Sequence, residues 1–541
     1  MIGCKQLSRR IKKNHYRYAS SYSNLAELVP DRAVTDVLVS AYLDTFEKVF
    51  RVLLVPSFLR QYNKYFSDPG SASTEFMLTL LLVISIGRCF NGDIVDSHAA
   101  LRCIHAANAY VSTPFEEKSH LTTEGIQIYC LLLIAREVNS IGADLIWLQA
   151  GSLLRMAMYM GLHRDPAKVP GIKLCEMEMR KRLWATIMEI GVQASLTSGG
   201  VPLISESDYD CPPPSNFDDY SLEEGAFDGR ANEDTFTSTT IQIYLRRSLE
   251  MRLLILNLVN GANTDHNCEV AKNLSDKFFK IYFDLSLRLE SFGNPTGIKP
   301  SVFQTKLFEL LNKRFLLALH GRFASIVPSH PSYYYSKALS IEISLDLLKF
   351  KNCTEMVSGM GGNVLQIDFS NLAIYSNGLY RSSFIYAFAL ICAELFVVVE
   401  NEAGISVSSP QLKLKTELLN SVKAYVEIMR QRVEHGDLNV KAYAFISGVI
   451  VQIDCIERGS PYDDSMLKQI QTSLTWGYER LQRHDKEDVQ SHNLPEVVFN
   501  TPDSSEAFNK ATELSSFEDY SRDPADYTDI SQFLNYLDFA I

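Results

Sequence analysis

The chain has 541 residues, of which 46% are hydrophobic, 21% charged and 11% aromatic, and its net charge is -12 at pH 7. This composition is that of a folded globular protein, and it excludes a mainly disordered chain or one that binds polyanions over its whole surface. The ten cysteines are scattered without a CxxC pair. That spacing argues against a disulfide framework or a zinc knuckle and favours a reducing compartment.

Residues 1–26 are interpreted as a basic N-terminal arm. The first twenty positions hold six basic residues and no acid, and they include Arg9, Arg10, Lys12 and Lys13. Clustered lysines and arginines attract phosphate groups whatever the base sequence, so the arm is expected to serve nuclear import or DNA contact. A solvated terminus without a role and a mitochondrial transit peptide are the alternatives.

Residues 27–484 are predicted to form an all-α body. Apolar residues recur at helical spacing in many stretches, whereas strand-like alternation is scarce and no repeat of fixed length is visible. The sequence therefore predicts an irregular array of helices rather than a regular solenoid. The periodic stretches are 36–54, 75–88, 121–137, 239–259, 270–291, 303–324, 338–351, 378–400, 411–434 and 439–456.

Two long apolar runs, Phe76–Gly87 and Phe384–Val399, raise the question of a membrane helix. Both are shorter than the roughly 20 residues that a membrane span requires, and Glu394 interrupts the second run. They are interpreted as buried helices of the body, and no membrane is expected among the partners.

A pair of antiparallel helices is predicted near the middle of the chain. Leu145–Gly161 and Glu176–Ser198 both carry apolar residues at helical spacing and end at glycines, and the loop His163–Leu174 joins them. Charges in this loop need partners, so Arg164, Asp165 and Arg180 are expected to form a structural polar network.

The segment 202–235 is rich in proline, glycine and acids and is predicted to be a long irregular connection. Its acids Asp218, Asp219, Glu223 and Glu224 faintly resemble the motif with which all-α terpenoid enzymes hold magnesium and a diphosphate. They lie in a loop flanked by proline and glycine, without a second acidic cluster on a helix. A solvated acidic loop is the favoured interpretation.

Other catalytic patterns lack support. His163, Arg164 and Asp165 match the tripeptide of a kinase catalytic loop, yet the chain has neither the glycine-rich loop nor the DFG motif of a kinase. His98, Cys103 and His105 do not share one helical face and lack a fourth ligand, so they are read as partly buried helix residues. No catalytic residue and no metal ligand is assigned.

Residues 485–541 are interpreted as a flexible acidic tail with thirteen acids, three bases and many aromatic residues. The acids keep such a segment solvated, which leaves its apolar residues free to fold into a groove of a partner. Phe533, Leu534 and Leu537 share one face of a short helix and are the expected contacts. The alternative is a C-terminal helix that docks on the body.

The ordered motifs of the central region resemble the middle homology region of fungal zinc-cluster transcription factors. WLQAGSLLRMAMYMGLHRDP at 147–166 is followed by EMEMRKRLW at 176–184 and by a GVPLI loop at 200–204, and the resemblance covers about 30–290. The residues that match the family pattern are Gly161, Leu162, His163, Arg164, Asp165, Arg180, Leu183, Trp184, Gly200, Pro202, Ile204, Asp208 and Asp210.

This resemblance implies a nuclear factor that regulates transcription by RNA polymerase II through an all-α regulatory domain and an acidic activation tail. It implies DNA, transcriptional coactivators, a small-molecule effector and a second copy of the chain as partners. The rival hypothesis is an effector-sensing corepressor or coregulator that does not itself bind DNA, and a magnesium-dependent lipid enzyme is the second rival.

The family binds DNA with an N-terminal six-cysteine cluster that holds two zinc ions, and this chain has only Cys4 before residue 89. No cofactor is therefore assigned to the chain itself, and zinc is expected only in the family's N-terminal cluster. Either that cluster lies outside this chain or the protein acts without it. The basic residues at 9–13 would then correspond to the linker that follows the cluster.

Overall fold

The computed structural model describes residues 1–18, 24–91, 97–112, 120–224, 234–261, 268–292, 298–324, 332–402, 409–458 and 463–491. The helices of the N-terminal half are α1 (Ile2–Tyr18), α2 (Arg32–Asp44), α3 (Glu47–Phe50), α4 (Val55–Ser67), α5 (Thr74–Gly87), α6 (Ser97–Val111), α7 (Thr123–Val138), α8 (Ile146–Tyr159), α9 (Leu174–Ser198), α10 (Asp219–Glu224) and α11 (Thr240–Asn260). The remaining elements are α12 (Cys268–Ser291), α13 (Val302–Ala324), α14 (Ser332–Leu347), β1 (Thr354–Ser358), β2 (Val364–Asp368), α15 (Asn371–Tyr375), α16 (Leu379–Glu402), α17 (Ser409–Glu434), α18 (Val440–Arg458) and α19 (Asp463–Ser491).

Most of these elements are helical, so the predicted all-α class is confirmed. Side-chain caps fix where several helices begin, because the first amides of a helix have no partner within it. Asp31 accepts a hydrogen bond from the amide of Val34 at the start of α2 (3.0 Å). Ser73 and Thr122 cap α5 and α7 in the same way.

One periodic stretch, 36–54, is not a single helix as predicted. α2 ends at Asp44, α3 spans only Glu47–Phe50, and Arg51 then adopts a left-handed backbone conformation with φ of 53°. This conformation costs a non-glycine residue roughly 1–2 kcal/mol. The Arg51 side chain is held by buried carboxylates, which stabilises the break.

A short antiparallel hairpin was missed by the sequence prediction. β1 pairs with β2 in the register Thr354↔Asp368 to Ser358↔Val364. The glycine-rich stretch 359–362 forms the turn of this hairpin, where the Gly359 amide donates to the Asn363 carbonyl (2.7 Å).

The chain divides into two compact units. The central unit comprises Ala19–Arg322 and Phe350–Ser382, and the terminal unit comprises Met1–Tyr18, Phe323–Lys349 and Ser383–Ile541. In this division the N-terminal residues 1–18 group with the C-terminal helices. Residue 485, the expected start of the tail, lies inside α19.

The central unit is built around α5, whose residues Phe76–Gly87 are all buried. This burial confirms the interpretation of the first apolar run as a core helix. α5 packs against α2, α6 and α7, while α9 packs between α8 and α11, and α11 contacts α12.

The terminal unit has its own apolar core. In α1 the residues Cys4, Leu7 and Ile11 are buried against apolar side chains of α17, α18 and α19. Their spacing of three and four residues places all three on one face of the helix. The basic residues Arg9 and Arg10 lie on the exposed side of the same helix.

The second apolar run is longer than predicted. Within α16, the 21-residue segment Leu379–Val399 has a mean hydropathy of 2.2, so its length and composition alone would permit a membrane crossing. The prediction that this run is too short was therefore wrong. In the structure 67% of this apolar stretch is buried, as is usual for the core helix of a globular protein.

Candidate functional site at the junction of α8 and α9

The predicted helix pair is present in the central unit, and the loop between α8 and α9 begins with a tight helix stop. Gly161 has φ of +74°, and its amide donates to the carbonyl of Met158 (3.0 Å). The amide of Leu162 donates to the carbonyl of Ala157 (3.0 Å), which completes a Schellman motif. Glycine suits this position because the left-handed conformation costs it nothing.

Arg180 of α9 satisfies another carbonyl at the end of α8. Its Nη2 donates to the backbone oxygen of Met160 (3.0 Å). A guanidinium at this place is favourable because helix C-termini carry unpaired carbonyls and a partial negative charge. Arg180 therefore ties the start of α9 to the end of α8.

Arg164 and Asp165 are brought together by Asp210, a residue that the predicted network did not include. Asp210 accepts a hydrogen bond from the Asp165 amide (2.9 Å) and pairs with Lys168 Nζ (2.7 Å). Arg164 Nη1 lies 3.8 Å from the same carboxylate. These neighbours hold the pKa of Asp210 below its ordinary value, chiefly through the hydrogen bond from Lys168. Arg180 binds elsewhere, so the three predicted residues do not form one network.

The backbone joins the two loops as well. The carbonyl of His163 accepts hydrogen bonds from the amides of Asp210 and Cys211 (both 3.1 Å). The Asp165 carboxylate caps the following turn by accepting from the amide of Ala167 (3.0 Å). The loop after α8 is thus bound to the segment that follows α9.

Trp184 is the hydrophobic centre of the junction. Its ring is buried and lies 6.1 Å from the ring of His163 and 6.0 Å from that of Tyr209. The guanidinium of Arg246 on α11 stacks over Tyr209 at 4.9 Å. Burial lowers the pKa of His163, and Arg164 lowers it further, so the neutral imidazole is favoured.

Trp147 closes the opposite end of the helix pair. Its Nε1 donates to Oγ of Ser195 near the end of α9 (3.2 Å). Its indole covers Gly200 so closely that a Cβ there would lie 2.6 Å from Cε2 of the ring. Asn260 of α11 also binds this end, donating to the carbonyls of Ser195 (3.1 Å) and Gly200 (2.8 Å).

Behind the junction lies a buried ion cluster centred on Asp219. Arg51 and Arg182 both donate to Oδ1 of Asp219, and the distance from Arg182 Nη1 is 2.6 Å. The other oxygen accepts from the Val55 amide at the start of α4 (2.9 Å). The two guanidiniums lower the pKa of Asp219 against the opposing effect of burial. Three sequence-distant segments, α3–α4, α9 and α10, are joined by this one carboxylate.

Glu47 extends the ion cluster. It accepts hydrogen bonds from Tyr42 Oη (2.6 Å) and from the Leu53 amide (3.0 Å), and its carboxylate lies 3.7 Å from Arg51 Nη1. Its burial is complete, and the loss of solvation raises its pKa to about 7 despite the neighbouring Arg51.

A second buried cluster runs along α9. Arg252 of α11 donates two hydrogen bonds to the carboxylate of Glu189 (2.6 and 2.8 Å). Gln193 donates to the same carboxylate (2.7 Å) and accepts from Arg314 of α13 (2.7 Å). Buried charges are tolerated when they are paired and hydrogen-bonded, and Arg252 and Glu189 meet both conditions.

A small cavity lies between α3, α9 and α11, with room for about one water molecule. Its polar lining residues are Thr186, Glu189, Gln242 and Arg246. Gln242 Nε2 lies within hydrogen-bond distance of the Phe50 carbonyl, the Arg182 carbonyl and Thr186 Oγ1 (2.8 to 2.9 Å). This cavity is too small for an organic effector in the conformation described.

Three of the four acids named above, Asp218, Asp219 and Glu223, are engaged with protein groups. Asp219 is buried in the ion cluster, which corrects its interpretation as part of a solvated loop. Asp218 accepts from the Ser238 amide (2.8 Å), and Glu223 pairs with the exposed Arg60 (2.6 Å). Among the described residues, no group of three or more histidines, cysteines or acids could hold a metal ion.

The other predicted residues belong to the terminal unit or lie outside the described residues. Arg10 pairs with Asp485 of α19, with Nε 3.3 Å from Oδ1, and Arg9 is exposed. Lys12 and Lys13 belong to α1. Phe533, Leu534 and Leu537 lie outside the described residues.

Sequence reasoning missed the buried charges, although a signal was present. Arg182, Thr186, Glu189 and Gln193 follow one another at spacings of four, three and four residues, which is a continuous polar stripe on α9. Such a stripe normally marks a solvated face. Here α11 and α13 cover it.

Comparison with known proteins gives a family match. Residues 39–360, more than half of the chain, match the model described as the fungal specific transcription factor domain. The matched range includes every residue of the junction and of both ion clusters. No solved structure matches the chain.

Several characterised proteins are similar to the chain. The transcription factor lepE of Aspergillus flavus is 32% identical over 92% of this chain and 61% of its own length. The transcription factor asR3 of Sarocladium schorii is 32% identical over 80% of this chain and 54% of its own length. The transcription factor opdR of Penicillium oxalicum is 28% identical over 87% of this chain and 62% of its own length. The chain thus spans between 54% and 62% of the length of these relatives.

Proposed function

Because the chain belongs to the family of the fungal specific transcription factor domain, we propose that it regulates transcription in the fungal nucleus. The observation that carries this proposal is the family match over 39–360, supported by relatives that are named transcription factors. The chain is assigned no catalytic step.

We assign the central unit a regulatory role in which the α8–α9 junction is structural. Gly161, Arg180 and Trp184 fix the angle between the two helices, and Arg164 and Asp165 bind the loop that leads to α10 through Asp210. His163 contributes its carbonyl to the loop and its ring to the Trp184 cluster. This arrangement supports a rigid helical block on which partners or effectors can act.

The acidic tail 485–541 is proposed to recruit coactivators through Phe533, Leu534 and Leu537. The test fuses the full chain to an unrelated DNA-binding domain and measures a reporter gene. Replacing these three residues with alanine is expected to reduce activation strongly, because acidic activation segments contact their partners through apolar side chains.

The matched control replaces Ser531, Gln532 and Asn535 with alanine, which changes the same stretch of sequence without removing apolar side chains. We expect this variant to activate like the parent fusion. Equal activity of both triple variants, or no activation by the parent, would defeat the tail hypothesis.

DNA binding is a separate question, for which a coregulator is the rival. The 541 residues contain no CxxC pair, so the family's zinc cluster is not among them, and the two hypotheses differ in whether this chain itself contacts DNA. Gel-shift assays of the full chain with and without zinc discriminate the two. Zinc-dependent retardation of specific DNA would reject the coregulator hypothesis.

A magnesium-dependent lipid enzyme is not favoured. Three of the acids that it would use are bound to protein groups: Asp219 to two arginines, Glu223 to Arg60 and Asp218 to the Ser238 amide. Isothermal titration with magnesium is expected to give no heat of binding. Magnesium uptake that the substitution Asp218→Asn abolishes would revive this hypothesis.

A further inference from the structure

The outer face of α12 carries an exposed apolar stripe. Phe279, Phe283 and Leu287 follow one another at intervals of four residues and are 39%, 50% and 48% exposed. The rings of Phe279 and Phe283 stack with their centroids 6.4 Å apart. The opposite face, which includes Phe278 and Tyr282, is buried. Large exposed side chains in a row on one helix are typical of an interaction surface.

A row of charges runs beside the apolar stripe. Asp276, Lys280, Asp284 and Arg288 are all exposed and also follow one another at intervals of four residues. Their signs alternate along the helix, from negative at residue 276 to positive at residue 288. Residues four apart lie on one side of a helix, so this row forms one edge of the stripe.

We propose that the α12 stripe is a docking surface for a second copy of this chain, paired antiparallel about a two-fold axis near Tyr282. A two-fold axis between antiparallel helices brings the same edge of both copies together. Asp276 then faces Arg288 of the other copy, and Lys280 faces Asp284. Every charge in the row meets its opposite.

The apolar residues fit the same register. With the axis at residue 282, Phe283 of the second copy lies level with residue 281, and its Phe279 lies level with residue 285. The six apolar side chains of the two copies therefore alternate at intervals of two residues, or about 3 Å along the helix axis. Interdigitation of this kind is how helices pack.

Other arrangements fit less well. A parallel pair in register would place like charges opposite one another at all four positions, which is destabilising. An unrelated partner would have no reason to match both rows at once. The pairing surface is a property of α12 and stands whether or not the chain regulates transcription.

The test measures the oligomeric state of the full chain by sedimentation velocity over a wide range of protein concentration. We expect a reversible dimer whose dissociation constant rises about tenfold or more in the variant Phe283→Glu. The matched control is Leu148→Glu on α8, a residue that is also exposed. Circular dichroism checks that both variants are folded.

Charge reversal tests the register. Asp284→Lys places two lysines opposite each other at both symmetric positions and is expected to weaken the dimer. The double variant Lys280→Asp with Asp284→Lys restores opposite charges and is expected to recover most of the affinity. Rescue of this kind is specific to the antiparallel arrangement.

A chain that stays monomeric at every concentration would overturn the proposal, as would a dimer that both Phe283→Glu and Asp284→Lys leave unchanged. If removal of residues 492–541 alone then produced the dimer, the occupant of the stripe in the full chain would be that segment instead of a second copy. Failure of the double variant to recover affinity would reject the antiparallel register.

Discussion

Replacing Asp219 with alanine removes the carboxylate that joins α3–α4, α9 and α10. Arg51 and Arg182 are almost fully buried, and Asp219 is the carboxylate that they share. The substitution leaves two guanidiniums in the interior without this counterion. It also removes the hydrogen-bond acceptor of the Val55 amide (2.9 Å).

The expected loss of stability can be worked from these contacts. Breaking a buried ion pair costs about 3–5 kcal/mol. The lower end applies here, because Arg51 still has Glu47 at 3.7 Å and Arg182 still donates to the Phe217 carbonyl (3.0 Å). A lost buried hydrogen bond adds about 1 kcal/mol. The free energy of unfolding should therefore fall by about 4 kcal/mol, a large part of the roughly 5–15 kcal/mol of a typical domain.

The assay is urea denaturation followed by tryptophan fluorescence and circular dichroism. Two of the three tryptophans, Trp147 and Trp184, lie in the central unit and report on it. Asp219→Asn, which keeps the shape and removes the charge, should show a smaller loss. Glu223→Gln removes an exposed pair with Arg60 and should change little. An Asp219→Ala midpoint equal to that of Glu223→Gln would refute the reasoning.

Three further predictions concern other sites. Gly200→Ala should destabilise the central unit by about 1–3 kcal/mol and alter the fluorescence of Trp147, since the new methyl group overlaps the indole; an unchanged spectrum would contradict it. Burial raises the pKa of Glu47 from 4.5 to about 7. Between pH 4.5 and about 7 the folded protein therefore keeps a proton on Glu47 that the unfolded chain has released, so the free energy of unfolding falls as the pH rises through this range. In the variant Glu47→Gln the urea midpoint should decrease less between pH 5 and about 8 than it does in the parent protein. An equal decrease in both proteins would show that another group is responsible. Leu7→Ala should lower the hydrogen-exchange protection of α1 and cost about 2 kcal/mol, whereas the exposed Lys5→Ala should not.

Local patterns explain why much of the helical fold could be predicted. Helical spacing of apolar residues located α5, α7, α11, α12, α13, α17 and α18 to within a few residues. Helix stops such as Gly161 were also readable, because the left-handed turn there depends on the residue itself. The resemblance to the family came from the order of short motifs, and the family match over 39–360 agrees with it.

Patterns of charge were harder to interpret. The basic stretch at the N-terminus was expected to be an arm, yet Cys4, Leu7 and Ile11 form an apolar face that packs in the terminal unit. The acids after residue 217 were read as solvated, yet Asp219 is buried. Sequence spacing records which side chains share a face, and it does not record what covers that face.

The sequence by itself determined the helical class, most helix boundaries and the family, because these depend on neighbours within a few residues along the chain. Only the tertiary structure decided that the polar stripe of α9 is interior. Arg182 meets Asp219, and Glu189 meets Arg252, across 37 and 63 residues of sequence. A buried charge needs a partner, and here both partners come from distant segments, so the burial of Arg182 and Glu189 is a property of the assembled helices.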